Sequence, residues 1–276
     1  MTVGVVVDGG ASLPDGAERS RLVVVPMSIR TPEGEVDASV GRDELVRRVH
    51  AGVTTAAPSP GEFLEAIEKA EGGDGVVVVT VAAHLSASAS AARLAGQLAQ
   101  AEHEVRVVDS ESATAGEGLV ALAAARAAAQ EAPLEAVVAA ARAAAARVRV
   151  VAQIAGLSYL ARTGRVPAAA VLAARLTGLR PVFSLVRGEV RPMRPAFSSA
   201  AGEARVLEHF RRTLRADARL HVAALHAFEP EAADRLLAAV RSLVEPATSF
   251  VASLSPVMLA HTGPGVSGLS WWWEEA

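Results

Sequence analysis

The sequence has no cysteine, a single lysine (Lys69) and few aromatic residues, which make up 4% of its 276 residues. Without cysteine the chain can form no disulfide, no thiolate nucleophile and no cysteine-ligated zinc site, and it suits a reducing, cytoplasmic compartment. The remaining basic residues are arginines, and they nearly balance the acids to a formal net charge of −3. A charge this small gives no reason to expect a nucleic-acid partner, and we predict none.

Long apolar segments and a basic leader are also missing. The most apolar stretches are rich in alanine and are broken by arginine, so none predicts a membrane-spanning helix. The N-terminus, MTVGVVVDGG, lacks the basic start of a signal peptide and reaches an acid at Asp8. We therefore interpret it as a first buried strand rather than as a signal.

Short apolar runs alternate with helical patterns over the first half of the chain. The runs, typical of buried parallel strands, are VGVVVD, LVVVPMSI, GVVVVTVA and EVRVVDS, at residues 3–8, 22–29, 75–82 and 104–110. The helical patterns between them are GRDELVRRVHAG, SPGEFLEAIEKAE and SASASAARLAGQLAQAE. The second of these has the signature of a capping box, with Ser59, Pro60 and Glu62 at its start. Such alternation predicts βαβ units and a doubly wound sheet.

The pattern changes after an alanine-rich segment that predicts two helices, the second opened by Pro133. The strands predicted beyond it are VVAQIAGL, LHVAALHAF and TSFVASL, and the helices are SYLARTGR, VPAAAVLAARLTG and two that begin at Ala200 and Pro230. The segment LRPVFSLVRGEVRPM predicts a hairpin that turns at Arg187-Gly188. A hairpin within α/β alternation indicates a mixed sheet.

We therefore predict an α/β protein of two tightly packed α/β domains. Residues 1–148 should form an N-terminal domain with a doubly wound, mostly parallel sheet. Residues 149–276 should form a C-terminal domain with a mixed sheet and helices. No linker rich in proline, glycine or serine separates the two halves, which is why we expect them to pack closely.

Nucleotide-binding motifs fit the sequence poorly. Lys69 is followed by alanine, so there is no Walker A motif. The segment GEGLVA (Gly116–Ala121) fits G-x-G-x-x-A, but it follows its strand by a six-residue loop, and we interpret it as a helix start that needs small residues. VVVDGGAS places Asp8 at the end of a strand, where α/β sheets bind ligands; it is equally a plain turn, and both interpretations stay open.

Two side chains stand where an anion could bind, and one histidine lies beside a rigid turn. Thr55 and Ser86 precede helices, where hydroxyls, backbone amides and the helix dipole suit a carboxylate or phosphate; alternatively, Ser86 is a helix N-cap and Thr55 a turn residue. His261 lies between a short apolar run and a Gly-Pro-Gly turn, and this setting suits a structural histidine better than a catalyst. The seven histidines show no metal-ligand spacing, and GVSGL around Ser267 is not a nucleophile elbow. We predict no metal site and no catalytic residue.

Six blocks, in order along essentially the whole chain, resemble the DegV family of bacterial fatty-acid-binding proteins. They are TAAPSPGEF, VAAHLSASASAA, VRVVDSESATAGEGL, SYLARTGRV, GLRPVFSLVRGEV and AHTGPGVSGL. The family is similar to the acyl-carrying subunit of bacterial fatty acid kinase. The resemblance implies one long-chain fatty acid between two α/β domains, no other cofactor, and a separate kinase partner that forms the acyl phosphate. Such a carrier would not itself be an enzyme, and it could contact a membrane transiently.

The resemblance assigns the fatty-acid carboxylate to Thr55, Ser86 and His261. A buried carboxylate needs several hydrogen-bond donors, and two hydroxyls with an imidazole supply them without a fixed positive charge. The rigid turn Gly263-Pro264-Gly265 would hold His261 in place.

The sequence departs from the family pattern beside these donors. Polar neighbours are replaced by alanine or glycine, which leaves the preference for an acyl chain and the interaction with a kinase partner open. The three altered segments are Thr55-Ala56-Ala57-Pro58 for T-S-Q-P, Leu85-Ser86-Ala87-Ser88 for L-S-G-T, and Asp8-Gly9-Gly10 for D-S-T.

Arginine is concentrated between residues 162 and 194, where Glu189 is the single acid. This is either a solvated face or a surface for an acidic partner or for the phosphate of an acyl phosphate. Arg162 and Arg165 lie in a block shared with the family and are the candidate partner contacts. The arginines are Arg162, Arg165, Arg175, Arg180, Arg187, Arg191 and Arg194.

Two functions compete with a carrier. One is a serine-type hydrolase or acyltransferase that uses Ser86 with His261, although no acid is evident as a third member. The other is a structural or regulatory protein that keeps only a vestigial pocket.

Overall fold

The computed structural model describes residues 2–16, 22–31, 34–36, 44, 47, 53–100, 102–162 and 178–275. The predicted helix GRDELVRRVHAG lies outside the described residues except at positions 44 and 47. Of the predicted helix VPAAAVLAARLTG, residues 166–177 also lie outside the described residues.

The described residues form thirteen strands and eight helices. The strands are β1 (Thr2–Asp8), β2 (Leu22–Val25), β3 (Ser28–Thr31), β4 (Gly34–Val36), β5 (Thr54–Ala56), β6 (Gly73–Thr80), β7 (Val105–Asp109), β8 (Arg149–Gln153), β9 (Val182–Val186), β10 (Glu189–Pro192), β11 (Ala218–His226), β12 (Thr248–Ser253) and β13 (Ser267–Glu275). The helices are α1 (Pro60–Ala70), α2 (Ser88–Ala99), α3 (Thr114–Ala129), α4 (Leu134–Ala145), α5 (Ser158–Arg162), α6 (Ser199–Arg211), α7 (Pro230–Arg241) and α8 (Pro256–Thr262).

The first sheet is parallel and has the order β2-β1-β6-β7. Valine fills its two central strands because both faces are covered. Alternate valines of β1 and β6 pack with α1 and α2 on one face and with α3 and α4 on the other. The prediction of a doubly wound parallel sheet is confirmed.

The prediction of a single strand at residues 22–29 is wrong, because this segment forms parts of two strands. Leu22–Val25 pairs with β1 in the parallel sheet, whereas Ser28–Thr31 belongs to a small antiparallel sheet of order β4-β3-β5. Pro26 separates the two pieces, and it has no backbone N–H with which to continue a ladder. This break carries the chain from the main sheet to the strand that pairs with β5.

Local signals placed several elements correctly. Ser59 and Glu62 form the predicted capping box at the start of α1: the Ser59 side chain accepts from the Glu62 N–H, and the Glu62 carboxylate accepts from the Ser59 N–H at 2.7 Å. The Ser59 N–H and the Ser59 hydroxyl, which both donate to this carboxylate, hold the pKa of Glu62 below its usual range. Pro133 is the N-cap of α4, as predicted.

The second sheet is mixed, as predicted, and has the order β10-β9-β8-β13-β11-β12. β11 and β12 are parallel, and the other neighbours are antiparallel. The predicted hairpin joins β9 to β10 at Arg187 and Gly188, whose φ angles of 53° and 74° give the left-handed conformation that a two-residue hairpin turn requires.

The sequence analysis missed strand β13, which lies in the middle of this sheet between β8 and β11. Its three tryptophans, Trp271 to Trp273, are buried on both faces. Trp271 donates from Nε1 to the Thr213 hydroxyl at 3.0 Å and meets Phe210 edge to face. A strand covered on both sides has no alternation of polar and apolar residues, so the usual signal is absent.

One hydrophobic core runs from the first sheet to the second. Helix α3 contacts β1 and β6 on one side and β8, β11 and β13 on the other. Its GEGLVA segment is confirmed as a helix that needs small residues: a Cβ on Gly116 would lie 2.1 Å from Ser112 Oγ, and one on Gly118 would lie 2.3 Å from the Ser12 carbonyl oxygen. Each half of the chain has its own sheet, and we keep residue 148 as the proposed domain boundary.

Candidate functional site

A cavity of about 580 Å³ is lined by the second sheet on one side and by β5 and the loops that follow β1 and β6 on the other. Its lining is mainly apolar, with side chains such as Val150, Phe183 and Leu225 from the second sheet. The polar side chains among the described lining residues are Thr55, Ser86, Thr114, His261 and Thr262. Thus the three head-group residues proposed from the sequence all line one mostly apolar cavity, although residues 55 and 261 are far apart in the chain.

Thr55 and His261 meet directly. Thr55 lies on β5, which pairs with β3 through the register of Thr55 with Ile29. Its hydroxyl oxygen is 3.0 Å from Nε2 of His261, and both side chains are half-buried. One hydrogen lies between the two groups at this distance, so the neutral pair keeps one further hydrogen to donate to an acceptor in the cavity.

His261 lies in the last turn of a helix rather than in a loop, because residues 256–262 form α8. Pro256 occupies the first turn, where its missing N–H costs nothing. Gly263, with φ +73°, ends the helix. A Cβ at Gly263 would lie only 2.3 Å from the Tyr159 ring. The expected rigid turn is therefore present, and it packs against α5.

Ser86 lies in the loop before α2, and it is not the N-cap of that helix. Ala87 occupies the N-cap position and makes no side-chain capping bond. Ser86 Oγ instead accepts the Ser88 backbone N–H at 3.2 Å and lies 3.1 Å from Ser88 Oγ. Its half-buried hydroxyl remains on the wall of the cavity.

Asp8, whose role the sequence left open, is fully buried and forms a turn. Its carboxylate accepts from the N–H of Gly10 at 2.8 Å and of Val81 at 3.0 Å. The sequence analysis missed its neighbour Glu117, a buried acid on α3. Burial raises the pKa of Asp8, against the opposing effect of its backbone hydrogen bonds. Burial also raises the pKa of Glu117 well above its usual value, and the charge of Asp8 raises it further. The sequence signal that could have identified Glu117 is the presence of an acid in the otherwise apolar stretch GEGLVALAAA.

The arginines between residues 162 and 194 lie in different environments. Arg180 is a structural residue, since it donates to Gln153 Oε1 at 3.1 Å and to the Gly265 carbonyl at 3.2 Å. Arg191 is exposed and pairs with Glu189 at 2.7 Å, which fits a solvated face. Arg162 is the last residue of α5, and Arg165 lies outside the described residues.

Among the helices that the structure describes, none combines the length and apolar character needed to cross a bilayer. In the same described ranges, no group of three or more His, Asp or Glu side chains is arranged to hold a metal ion.

The model of a protein family described as uncharacterised DegV family proteins matches residues 2–274 of the chain. The chain belongs to the DegV family. A DegV domain-containing protein of Mycobacterium tuberculosis is 34% identical over 278 residues, with 98% of this chain and 96% of the relative covered. One from Streptomyces coelicolor is 30% identical over 275 residues, with 97% of each covered.

Solved DegV structures have the same fold. A fatty-acid-binding DegV family protein from Thermus thermophilus is 28% identical, with a TM-score of 0.87 over 99% of this chain and 100% of the other. The fatty acid kinase B3 protein of Streptococcus pneumoniae, loaded with linoleic acid, is 21% identical, with a TM-score of 0.85 over 100% of both chains. The second likeness supports the fold alone.

Proposed function

We propose that this DegV family protein binds one long-chain fatty acid in the cavity between its sheets, with the carboxylate at Thr55, Ser86 and His261. The observation that carries the proposal is the composition of one cavity: a long apolar wall and a hydroxyl–imidazole pair, with a second hydroxyl on the same lining. Ligand cavities of this kind bury an apolar body and fix a polar end with a few donors. The fatty acid binding of the Thermus thermophilus relative supports the same ligand class.

Uncharged donors suit reversible binding of the head group. No described arginine or lysine lines the cavity, so the carboxylate would be held by hydrogen bonds rather than by an ion pair. Each such bond to a charged group contributes roughly 1.5–3 kcal/mol, and the acyl chain contributes about 0.8 kcal/mol for each buried methylene. Most of the affinity would therefore come from the chain, and the head group would set orientation.

We further propose that the protein is a carrier that presents the bound acid to a separate kinase, which forms the acyl phosphate. The family resemblance implies this role, and the Streptococcus pneumoniae fatty acid kinase protein has the same fold. Hydrolysis by Ser86 has less support, because Nε2 of His261 is hydrogen-bonded to Thr55 and the Ser86 hydroxyl is bonded to Ser88. Arg162 and Arg165 remain the proposed contacts with the kinase or the phosphate.

Native mass spectrometry of the purified protein tests the ligand directly. We expect an added mass of one fatty acid per chain that is released on denaturation and identified as a free acid. Delipidated protein should rebind C14–C20 acids and gain thermal stability. A delipidated protein that shows no thermal shift with any of these acids would refute the proposal.

A further inference from the structure

The cavity opens to solvent beside the proposed head-group residues. Most of its lining is buried or half-buried, but four of the described lining residues are exposed: Ala56, Leu85, Ala87 and Val190. The first three are direct neighbours of Thr55 or Ser86 in the chain. The lining away from them consists of buried apolar side chains such as Val150 and Leu225. A bound acid would therefore keep its carboxylate near the opening and its tail inside, and it would have to enter tail first.

Two exposed apolar side chains flank this opening. Leu85, in the loop after β6, is 37% exposed, and Val190, on β10, is 53% exposed. Val190 pairs with Leu185 of β9, a buried residue that lines the same cavity. Apolar side chains on both sides of an opening suit the passage of an acyl chain, because a tail that contacts them is shielded from water.

The turn of the β9–β10 hairpin rests on the loop after β6. Gly188 is buried, and a Cβ added to it would lie 3.8 Å from the Ala82 Cβ and 3.6 Å from Nδ1 of His84. The Gly188 N–H donates to the Glu111 carbonyl, in the loop after β7, at 2.6 Å. Among the described residues, this is the single backbone hydrogen bond between the hairpin and the first half of the chain. The hairpin is therefore tied to these loops at one point.

Asp109 holds both loops with one carboxylate. It is the last residue of β7, and its Oδ1 accepts the Glu111 N–H at 2.8 Å while its Oδ2 accepts the Ala83 N–H at 3.2 Å. Glu111 has a φ angle of 49°, which is uncommon for a residue with a side chain, and the bond to Asp109 supports this conformation. The Glu111 carbonyl is the acceptor for Gly188, and Ala83 lies in the turn that leads to Ser86.

We propose that the fatty acid enters and leaves between Leu85 and Val190, and that Asp109 is the positioning residue that sets the width of this opening. The proposal rests on the proposed fatty-acid site. Asp109 is not among the residues that line the cavity, so it acts through its two partners. Ala83 fixes the loop with Leu85, and Glu111 ties down the hairpin with Val190. When the hairpin leaves Glu111, the opening widens and the tail can pass.

A disulfide across the opening tests the route. The added Cβ of Gly188 lies 3.8 Å from the Ala82 Cβ, a separation that disulfides commonly span, and the chain has no cysteine of its own. The Ala82→Cys/Gly188→Cys variant is loaded with cis-parinaric acid, and its release into excess oleate is followed by fluorescence. The oxidised form should release and take up the probe roughly tenfold or more slowly than the reduced form, because the cross-link holds the opening closed. Its Kd should stay close to that of the reduced form, which is the matched control.

Asp109→Asn tests the positioning residue. An amide has one oxygen, so it can accept only one of the two N–H groups. Loss of one hydrogen bond corresponds to roughly a 2- to 10-fold change, and we expect the association and dissociation rates both to rise by this factor with little change in Kd. Damage to the head-group site would instead raise the dissociation rate and the Kd together. Asp74→Asn, the same change at the exposed start of β6, should keep the parental rates.

Combining the variants separates the opening from general loosening. In the oxidised Ala82→Cys/Gly188→Cys protein the hairpin is held covalently, so Asp109→Asn should no longer speed exchange. A merely structural role of Asp109 would speed exchange in the oxidised and reduced forms alike, and this result would overturn the assignment.

The remaining outcomes also decide the inference. An oxidised variant that binds the probe and exchanges it as fast as the reduced form places the route elsewhere and leaves the fatty-acid site intact. Two cysteines that do not pair under oxidising conditions show that the hairpin does not rest on the loop, and this overturns the inference as well. If the double variant does not fold, parental exchange rates in Asp109→Asn overturn it alone. A parent that binds no fatty acid refutes the proposed function, and this inference fails with it.

Discussion

Replacing Thr55 by valine tests the head-group site with the least disturbance of shape. Valine and threonine have nearly the same volume, so the apolar wall of the cavity is kept. The hydroxyl that lies 3.0 Å from His261 Nε2 is lost, and so is one donor to the proposed carboxylate. The variant therefore separates the chemistry of the head group from the packing of the chain.

The expected loss follows from leaving a charged acceptor short of one donor, which costs roughly 1–3 kcal/mol. In terms of Kd this is roughly a 5- to 150-fold weakening of oleate binding. Oleyl alcohol carries no charge, so its affinity should fall less. The measurement is competition with a fluorescent fatty acid on delipidated protein.

Thr54→Val is the matched control. Thr54 precedes Thr55 on β5, but its side chain is exposed, so this change should leave oleate binding unaltered. If Thr55→Val binds oleate as tightly as the parent and the Thr54 control, the carboxylate does not lie at the Thr55–His261 pair.

Three further changes test the fold, the buried acid and the partner surface. Gly263→Ala should destabilise the protein by roughly 1–3 kcal/mol, because its Cβ would lie 2.3 Å from the Tyr159 ring. Gly178→Ala, also at positive φ but with no described atom within 4 Å of its added Cβ, should cost less in the same urea titration, and equal losses would refute the steric argument. The folded pKa of Glu117 is raised, so the native protein keeps a proton that the unfolded chain releases above its ordinary pKa. Stability should therefore fall as pH rises above that ordinary pKa, by up to about 1.4 kcal/mol per pH unit. Urea titrations at several pH values should show a weaker dependence of stability on pH in Glu117→Gln; an unchanged dependence would contradict a raised pKa at Glu117. Charge reversal in Arg165→Glu should leave fatty-acid affinity intact and slow phosphorylation by a cognate kinase, more so at low salt; lost lipid binding with normal phosphorylation would place this arginine in the cavity.

Elements with local signals were predictable from the sequence. The valine runs of β1 and β6 are buried on both faces, and a continuous apolar run is the mark of such a strand. The start of α1 was specified by Ser59 and Glu62 within four residues. The hairpin was specified at Arg187-Gly188, where a glycine tolerates the required left-handed backbone.

Elements fixed by distant contacts were not predictable in the same way. Strand β13 begins with small residues and has no alternation, and its place depends on β8 and β11. Helix α8 has only seven residues, too few for a clear helical period. The Asp8–Glu117 pair joins a strand end to a helix buried on all sides, and no local pattern connects them.

The candidate site was found through the family resemblance rather than through spacing. Thr55 and His261 are separated by 206 positions, and neither lies in a motif that specifies the other. The structure brings them to one cavity because β5 pairs with β3 and α8 packs against β3.

Because β13 lies in the middle of the second sheet, this sheet cannot be completed until the end of the chain has been synthesised. Domains generally fold from the N-terminus as the chain emerges from the ribosome, and the parallel sheet has all its strands by residue 109. The second sheet has a gap between β8 and β11 until residues 267–275 emerge. The cavity draws its walls from loops beside the parallel sheet, from the small antiparallel sheet and from the second sheet. A nascent chain that lacks the second sheet therefore cannot hold a ligand. A ribosome stalled near residue 260 would leave β8 and β11 with exposed, unpaired edges, which are sites of aggregation.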